Sequence, residues 1–376
     1  MRNFYFSEMN GKFGFGCMRL PTIDGVVDIN QFSKMVDRFI AVGLNYFDTA
    51  HVYHKGHGEQ ALKASLTSRY PRSRYLLTSK LSQSMFSSED DIRPIFIRQL
   101  EACGVEYFDF YLMHAQNARN FEQFKACRAY ETAFELKREG KIRHVGLSFH
   151  DTAEVLDKIL TAYPEVEVVQ IQLNYLDYGD VAVDSKRVYE TCVRHGKPVI
   201  VMEPIKGGTL VKGLPEDAVT LYEQLGQTPA SMALRFAAGF EQVAMVLSGM
   251  SDLDQMNDNL SFMVEPKPLN ELEGAAIEKV RDLFRAQNLI PCTACRYCTD
   301  GCPMGILIPD IFSCLNKYSQ FKDWNQPRYY RTVLTEGHGK ASECLKCGLC
   351  EGVCPQNLPI RDLLEKAVET FEKEDD

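Results

Sequence analysis

Residues 292–303 read CTACRYCTDGCP and residues 344–355 read CLKCGLCEGVCP. Both stretches follow the pattern C-x2-C-x2-C-x3-C-P, a spacing with which cysteine thiolates hold cubane iron–sulfur clusters. Three thiolates two residues apart surround one corner of a cubane, and the fourth, stiffened by proline, is turned toward a second cluster. The pattern therefore predicts two [4Fe–4S] clusters. One set of ligands is Cys292, Cys295, Cys298 and Cys354, and the other is Cys302, Cys344, Cys347 and Cys350.

Two other uses of these cysteines were weighed. Disulfides need an oxidising compartment, but residues 1–16 lack the basic start and apolar stretch of a signal peptide. Structural zinc is the remaining alternative, although it typically uses two C-x2-C pairs. The five cysteines outside the two runs fit a reducing cytoplasm, where we expect the protein to reside.

Length and charge narrow the class of protein. A chain of 376 residues suits one large and one small domain. The net charge of −9 argues against nucleic acid or anionic lipid as partners, because both attract basic surfaces. No apolar run is long enough to span a bilayer, so we expect a soluble protein.

Upstream of the cysteines, eight short apolar runs alternate with amphipathic helical stretches, one of which is predicted over Phe121–Arg138. The runs are Lys12–Cys17, Gly43–Asp48, Tyr75–Lys80, Phe108–His114, Ile142–Ser148, Val166–Leu173, Pro198–Met202 and Val243–Leu247. Several are apolar on both faces, as buried parallel strands are. Eight such units in this length predict an α/β fold of the (β/α)8 TIM-barrel type. A doubly wound sheet is the alternative, but the G-x-G-x-x-G turn that would support it is missing.

The remainder of the chain predicts a second, smaller domain. A charged helix over Leu269–Gln287 leads out of the barrel, and 41 residues separate the cysteine runs. Helical patterns at Pro309–Tyr318 and Arg328–Thr335 favour a small, mostly helical dicluster ferredoxin domain over a β-rich one. We therefore divide the chain into a barrel, residues 1–285, and a cluster domain, residues 286–376.

Barrel enzymes place their chemistry where strands end and loops begin. The predicted second, third and fourth strands end close to Asp48 and Tyr53, at Lys80 and at His114. A carboxylate, a phenol, an ammonium and an imidazole would thus meet at one face. Each residue alone is ordinary, and the coincidence of all four marks a candidate catalytic site.

At these residues the sequence resembles the aldo-keto reductase family, over roughly residues 4–285. The family's D-x-A-x-x-Y signature corresponds to Asp48 through Tyr53. The resemblance implies a catalytic tetrad of Asp48, Tyr53, Lys80 and His114, with hydride arriving from a nicotinamide. A free phenol titrates near 10. We therefore expect Lys80 to lower the pKa of Tyr53, the general acid, and His114 to bind the carbonyl oxygen.

The resemblance also implies cofactor contacts. Gly16, Cys17 and Met18 match a cofactor-contacting turn, Ser148 and Gln170 match groups that bind the nicotinamide carboxamide, and Met202 takes the place of a stacking tyrosine. Lys206, with the two glycines after it, resembles the pyrophosphate loop, where Lys206 would add a charge.

The region around residues 247–260 departs from members that prefer NADP. Gly249 and Gln255 stand where such members place a lysine and an arginine, with Asp252 and Asp254 nearby. Ser251 and Asn259 match the family's remaining contacts there. Carboxylates would repel a 2′-phosphate, so NADH is favoured, and NADPH stays open.

Three functions remain. The first is an oxidoreductase that reduces an aldehyde or ketone, or oxidises the alcohol, with NAD(P)H. The second takes electrons from an external electron-transfer protein through the clusters to a substrate or flavin in the barrel, although no flavin motif is present. In the third, the clusters only stabilise the C-terminal domain or dock a partner.

Overall fold

A closed barrel of eight parallel strands forms the first part of the chain. The computed structural model describes residues 5–179, 183–321 and 325–373. The barrel strands are β1 (Phe13–Gly16), β2 (Tyr46–Asp48), β3 (Leu76–Leu81), β4 (Phe108–Gln116), β5 (Ile142–Phe149), β6 (Val168–Gln172), β7 (Val199–Met202) and β8 (Val243–Ser248). Each strand pairs with its neighbours in sequence, and β1 closes the barrel against β8. The predicted TIM barrel and its eight strands are therefore confirmed.

The barrel closes tightly because its interior is filled by interdigitating side chains. Phe110, Leu112, Val168 and Ile200 belong to one buried cluster within it. Gly146 on β5 is required there, since a Cβ at this position would lie 2.5 Å from Val168 Cγ1. Such close packing fixes the strand ends and hence the side chains they carry.

Helices connect the strands. A short antiparallel hairpin pairs Thr22–Ile23 with Val26–Val27. The helices are Ile29–Ala41, Gly58–Leu62, Glu89–Cys103, Ala118–Ala126, Ala129–Arg138, Ala153–Ala162, Ser185–Arg194, Pro229–Ala238 and Leu253–Met263. The sequence pattern favoured one helix over 121–138, but Arg128 adopts a left-handed backbone with φ of 52° and divides it into two.

The cysteine runs lie in a second compact unit. It comprises Ile205–Pro229 together with the chain from Leu272 onward. Its helices are Thr209–Lys212, Glu216–Gln224, Glu271–Ala286, Tyr297–Asp300, Ile308–Phe321, Asn325–Tyr329, Leu349–Gly352 and Ile360–Phe371. The mostly helical prediction is confirmed. The proposed division at residues 285 and 286 stays a prediction, and the structure groups the segment after β7 with the cysteine region.

Two helices organise the core of this second unit. Ile308–Phe321 follows the first cysteine run and Ile360–Phe371 follows the second, and their apolar faces share one buried cluster. The ring of Tyr330 stacks on Phe371 with centroids 5.1 Å apart. None of the helices in the described part of the chain is both long and apolar enough to cross a membrane.

Candidate active site and cysteine sites

Lys80 is the centre of the predicted catalytic group. Its Nζ atom, completely buried, donates hydrogen bonds to Asp48 Oδ1 at 2.6 Å and to the Thr49 carbonyl at 2.8 Å. The same atom lies 3.2 Å from the Tyr53 hydroxyl. Asp48 ends β2 and Lys80 lies near the end of β3, and neighbouring parallel strands bring these ends together. The structure thus assembles three of the four predicted side chains around one ammonium.

His114 completes the group from β4. Its ring stands edge-on to that of Tyr53, with centroids 6.1 Å apart. Burial, with Lys80 and His150 nearby, holds the pKa of His114 well below its ordinary value, so the imidazole is neutral near pH 7. Its Nδ1 atom lies 2.6 Å from Ser82 Oγ. When that hydroxyl donates, the imidazole proton sits on Nε2, where it can be donated to a carbonyl oxygen.

The pKa of Tyr53 differs from the expectation drawn from sequence. Burial raises it well above its usual value, and the charges of Asp48 and Glu203 raise it further. The Lys80 ammonium, which is paired with Asp48 at close range, does not outweigh this rise, so the pKa of Tyr53 is not lowered as expected. Tyr53 therefore keeps its proton near neutrality. A proton held in this way is available to an alkoxide, which is a much stronger base than a phenolate.

A buried carboxylate that the sequence reading missed supports the strand carrying Lys80. Glu59 accepts hydrogen bonds of 2.9 Å from Ser79 and from Gln99, and His51 Nδ1 lies 2.9 Å from its other oxygen. Gln99 also donates to the carbonyl of Lys80 at 3.1 Å. A fully hydrogen-bonded network of this kind rigidifies its surroundings. The signal available in the sequence was that polar residues, His51 and Glu59 among them, lie on both sides of Tyr53.

The two residues predicted to bind a carboxamide lie at adjacent strand ends. Gln170 on β6 donates to Asp48 Oδ2 at 3.0 Å, so it holds the second oxygen of the Asp48 carboxylate. Ser148 on β5 accepts a hydrogen bond of 2.7 Å from the backbone of Ala115, directly after His114. Both are buried. Their placement serves the catalytic group, and their contact with a carboxamide stays a prediction.

The remaining predicted cofactor contacts gather where β1 and β8 end. Gly16 approaches β8 closely, since a Cβ there would lie 3.4 Å from the Ser248 carbonyl. Cys17 is buried, which raises its thiol pKa and leaves no reactive thiolate. Met18 is half-buried. The stem of Arg19 fills the space that a side chain at Gly249 would occupy.

Three polar residues hold the backbone after β8. Ser251 Oγ donates to the Arg19 carbonyl at 2.9 Å. Gln255 donates to Asp252 Oδ2 at 2.7 Å, and its amide oxygen accepts from the Ser251 backbone. Asn259 donates to Ser248 Oγ at 3.1 Å. Gln255 is thereby turned toward a carboxylate that caps the following helix.

The end of β7 carries a strained residue that sequence reasoning overlooked. Glu203 follows half-buried Met202 and adopts a left-handed backbone with φ of 54°. Asn174 donates to its carbonyl at 3.1 Å, and Arg19 contacts its carboxylate at 3.4 Å. A non-glycine residue held in this conformation is a feature of functional sites.

His150 was also missed. Its Nδ1 atom is buried and has no hydrogen-bond partner among the described residues. Burial lowers its pKa to about 4, so it is a second neutral imidazole beside His114. Its position two residues after Ser148 was the available signal.

Lys206 begins the stretch predicted to contact a pyrophosphate, and that contact stays a prediction. The Lys206 side chain is 1% exposed, and Nζ donates a hydrogen bond of 2.6 Å to Oε1 of Gln356. Lys206, Gly207 and Gly208 all have positive φ angles. Both Lys206 and Gln356 belong to the second compact unit.

The eight cysteines lie in two neighbourhoods, and their assignment as ligands of two clusters stays a prediction. Burial raises the pKa of Cys298 to about 12, and Cys295, Cys292 and Cys354 are the neighbouring thiols that act on it. A separate pocket with an otherwise apolar lining contains the other four cysteines, Cys302, Cys344, Cys347 and Cys350. Each set thus takes one cysteine from the opposite run. Within the described residues, no three His, Cys, Asp or Glu side chains are arranged to hold a metal ion.

The two cysteine runs follow the same backbone path, 52 residues apart in sequence. Cys292 accepts a hydrogen bond of 3.4 Å on sulfur from the backbone of Ala294, and Cys344 accepts the equivalent bond from Lys346. Ala294 and Lys346 have φ angles of 52° and 54°. A four-residue helix lies within each run, and a long helix follows each run. This repeat was visible in sequence and gives the two runs the same local backbone.

Comparison with known proteins agrees with this arrangement. The model of the Aldo/keto reductase family matches residues 12–282, and that of a 4Fe-4S dicluster domain matches residues 291–359. L-galactose dehydrogenase of Arabidopsis thaliana is 24% identical over 295 residues, covering 72% of this chain and 91% of that protein. NADH-specific methylglyoxal reductase of Escherichia coli is 26% identical, covering 47% and 57% of the two chains.

Solved structures share the barrel. The holo form of an aldo-keto reductase from Bacillus halodurans superposes with a TM-score of 0.58 and 26% identity, covering 72% of this chain and 91% of that one. An aldo-keto reductase from Klebsiella pneumoniae in complex with NADPH gives a TM-score of 0.57 at 20% identity, covering 72% and 90%. The second of these comparisons speaks for the fold alone.

Proposed function

Because the chain belongs to the aldo/keto reductase family, we propose that it reduces an aldehyde or ketone, or oxidises the corresponding alcohol, with NADH or NADPH. The observation that carries this proposal is the hydrogen-bonded group of Asp48, Lys80 and Tyr53. When bound, the nicotinamide supplies or accepts the hydride. Residues 1–285 carry this reaction in our proposal.

Four side chains of the candidate site would transfer the proton and position the carbonyl. Tyr53 holds a proton at its hydroxyl and gives it to the oxygen of the substrate, while Lys80 stabilises the phenolate that results. Asp48 pairs with the ammonium and holds it in place. Neutral His114, oriented by Ser82, donates from Nε2 to the same oxygen and so positions the carbonyl over Tyr53.

The residues at the ends of β1, β5, β6, β7 and β8 fit a dinucleotide. Gly16 allows backbone to approach closely, and Ser148 and Gln170 bring polar groups beside the catalytic carboxylate. Gly249 and Gln255 offer no cation to a 2′-phosphate, and Gln255 is engaged with Asp252. These features support a preference for NADH, to be read from kcat/KM with each dinucleotide.

For the second unit we propose two [4Fe–4S] clusters, held by residues 286–376. The four-cysteine sets and the apolar lining around the second set suit such a centre. The ligands are Cys292, Cys295, Cys298 and Cys354 for one cluster, and Cys302, Cys344, Cys347 and Cys350 for the other. The clusters supply one-electron transfer when bound. Two such clusters in one unit support, as a second candidate, a reductase that receives electrons from an external electron-transfer protein.

Replacing Tyr53 by phenylalanine tests the reductase function. We expect Tyr53→Phe to lose carbonyl reduction by a factor of about 10² to 10⁴, the range for removing a general acid, while NADH binding followed by fluorescence is retained. Tyr107→Phe, on a hydroxyl that contacts Arg143 at an exposed position, is the matched control. Undiminished turnover by Tyr53→Phe would overturn the assignment.

A further inference from the structure

Lys206 is a buried cation next to one of the two cysteine sets. Its Nζ atom bonds to Gln356, which is 4% exposed and follows the Cys354-Pro355 pair directly. The ammonium is therefore held beside the segment that carries Cys354, and both side chains of this hydrogen bond are buried.

A positive charge close to a cluster favours the reduced, more negative state of that iron–sulfur centre. Lys206 would supply such a charge to the cluster that Cys354 is proposed to hold, because Gln356 fixes the ammonium two residues beyond that cysteine.

The second set has no comparable buried lysine among the described residues. Its nearest lysine in sequence is Lys346, which lies between Cys344 and Cys347, and the Lys346 side chain is 65% exposed and paired with Glu365. Water and the carboxylate screen this charge. Cys347 itself is exposed. The two sets therefore share a backbone path and differ in their electrostatic surroundings.

We propose that Lys206 is a tuning residue, which raises the reduction potential of the cluster held by Cys292, Cys295, Cys298 and Cys354 above that of the other cluster. The inference rests on the proposed cluster ligands and goes beyond them. It assigns a direction to electron flow within the unit, from the cluster of Cys302, Cys344, Cys347 and Cys350 to the cluster beside Lys206. The side chain of Lys206 then serves the cluster, whereas the resemblance had assigned it to a pyrophosphate.

Potentiometric titration of the anaerobically purified, full-length holoprotein, followed by electron paramagnetic resonance, tests this role. We expect Lys206→Met to lower the midpoint potential of one cluster only, shifting its reduction equilibrium about tenfold, which is 59 mV for a one-electron couple. Lys206→Arg should restore most of the shift. Lys346→Met is the matched control and should leave both potentials within a small fraction of that value.

If Lys206→Met loses iron, a second variant, Gln356→Glu, tests the effect of Lys206 on the reduction potential. Gln356→Glu keeps the shape of the side chain and sets a carboxylate against the ammonium, so the same cluster should become harder to reduce. Unchanged potentials in this variant, or in Lys206→Met with full iron content, would overturn the tuning role. A wild-type protein without two clusters by iron analysis and spectroscopy would instead overturn the proposed ligands.

Discussion

The buried ammonium of Lys80 donates a hydrogen bond of 2.6 Å to Asp48. The carboxylate of Asp48 therefore compensates the positive charge that lies beside the Tyr53 hydroxyl. An ion pair closed off from solvent is strongly coupled, because removing one partner leaves the other charge buried alone. Asp48 thus controls both the charge and the position of Lys80.

Replacing this carboxylate should therefore affect stability as well as turnover. We expect Asp48→Asn to lower the free energy of unfolding by about 3 kcal/mol, as other broken buried pairs do, and to reduce kcat at least tenfold. Asp37→Asn, which removes the exposed partner of Arg69, is the control and should change stability by no more than about 1 kcal/mol. Urea denaturation and steady-state kinetics give the two readings. Equal small losses in both variants would contradict the coupling.

Carbonyl reduction should be insensitive to pH across a wide window. The active forms are a protonated Tyr53, whose pKa burial raises above about 10, and a neutral His114, whose pKa burial lowers below about 6.5. Both forms persist between those values, so kcat/KM for reduction should stay level from about pH 6.5 to about pH 10. A decline centred near pH 8 would show that Lys80 lowers the pKa of Tyr53 after all.

Ser82 should act through His114. We expect Ser82→Ala to lower kcat about fivefold, the effect of losing one hydrogen bond worth about 1 kcal/mol, with little change in KM. Ser82→Thr keeps the hydroxyl and should recover most of the rate. Ser87→Ala, on an exposed hydroxyl that contacts Asp91, is the control. If Ser82→Thr is as slow as Ser82→Ala, the hydroxyl does not orient the imidazole.

A histidine between two carboxylates should make stability depend on pH. Burial would lower the pKa of His144, but its hydrogen bonds with Glu167 and Glu8 raise it on balance. The charged form is therefore favoured by folding, and its contribution is full below about pH 6.5 and disappears as pH rises through the folded pKa. We expect His144→Gln to cost about 1 kcal/mol at pH 6 and less at pH 9, by urea denaturation. A loss that grows with pH would contradict this sign.

Paired cysteine substitutions test the cross-ligation. Cys354→Ala should lose about half of the iron, and adding Cys292→Ala should remove no more, because both thiols serve one cluster. Adding Cys350→Ala to Cys354→Ala should remove nearly all of it. Cys314→Ala, on a buried thiol outside both sets, is the control and should keep full iron content. Loss of all iron from the Cys292, Cys354 double variant in a folded protein would contradict the assignment.

Much of the barrel was predictable because buried parallel strands leave a clear trace in sequence. Continuous apolar runs such as Phe108–His114 are read correctly whatever surrounds them. The break at Arg128 was not predictable, since the helical pattern continues through it and only the backbone departs. Whether a segment is a strand or a helix followed from its pattern of apolar residues. The helix break depends on the left-handed backbone of Arg128, which that pattern does not indicate.

The candidate site was predictable where residues sit at strand ends and less so where they act through others. Asp48, Lys80 and His114 follow from topology. Ser82 looks like an ordinary loop hydroxyl, and its role depends on a contact 32 residues away. The pKa of Tyr53 was misjudged because the sequence reveals a neighbouring lysine but not how completely Asp48 neutralises it or how far burial acts.

The exchange of one cysteine between the two runs also bears on how the protein matures. Cys302 lies with thiols more than 40 residues downstream, and the other three cysteines of the first run have Cys354 as their fourth neighbouring thiol. Neither binding place is complete until the ribosome has released nearly the whole region, so iron insertion becomes a late event. A nascent chain that stalls before residue 354 would carry only three of the four thiols proposed for the first cluster, so that cluster would have to wait for the second run.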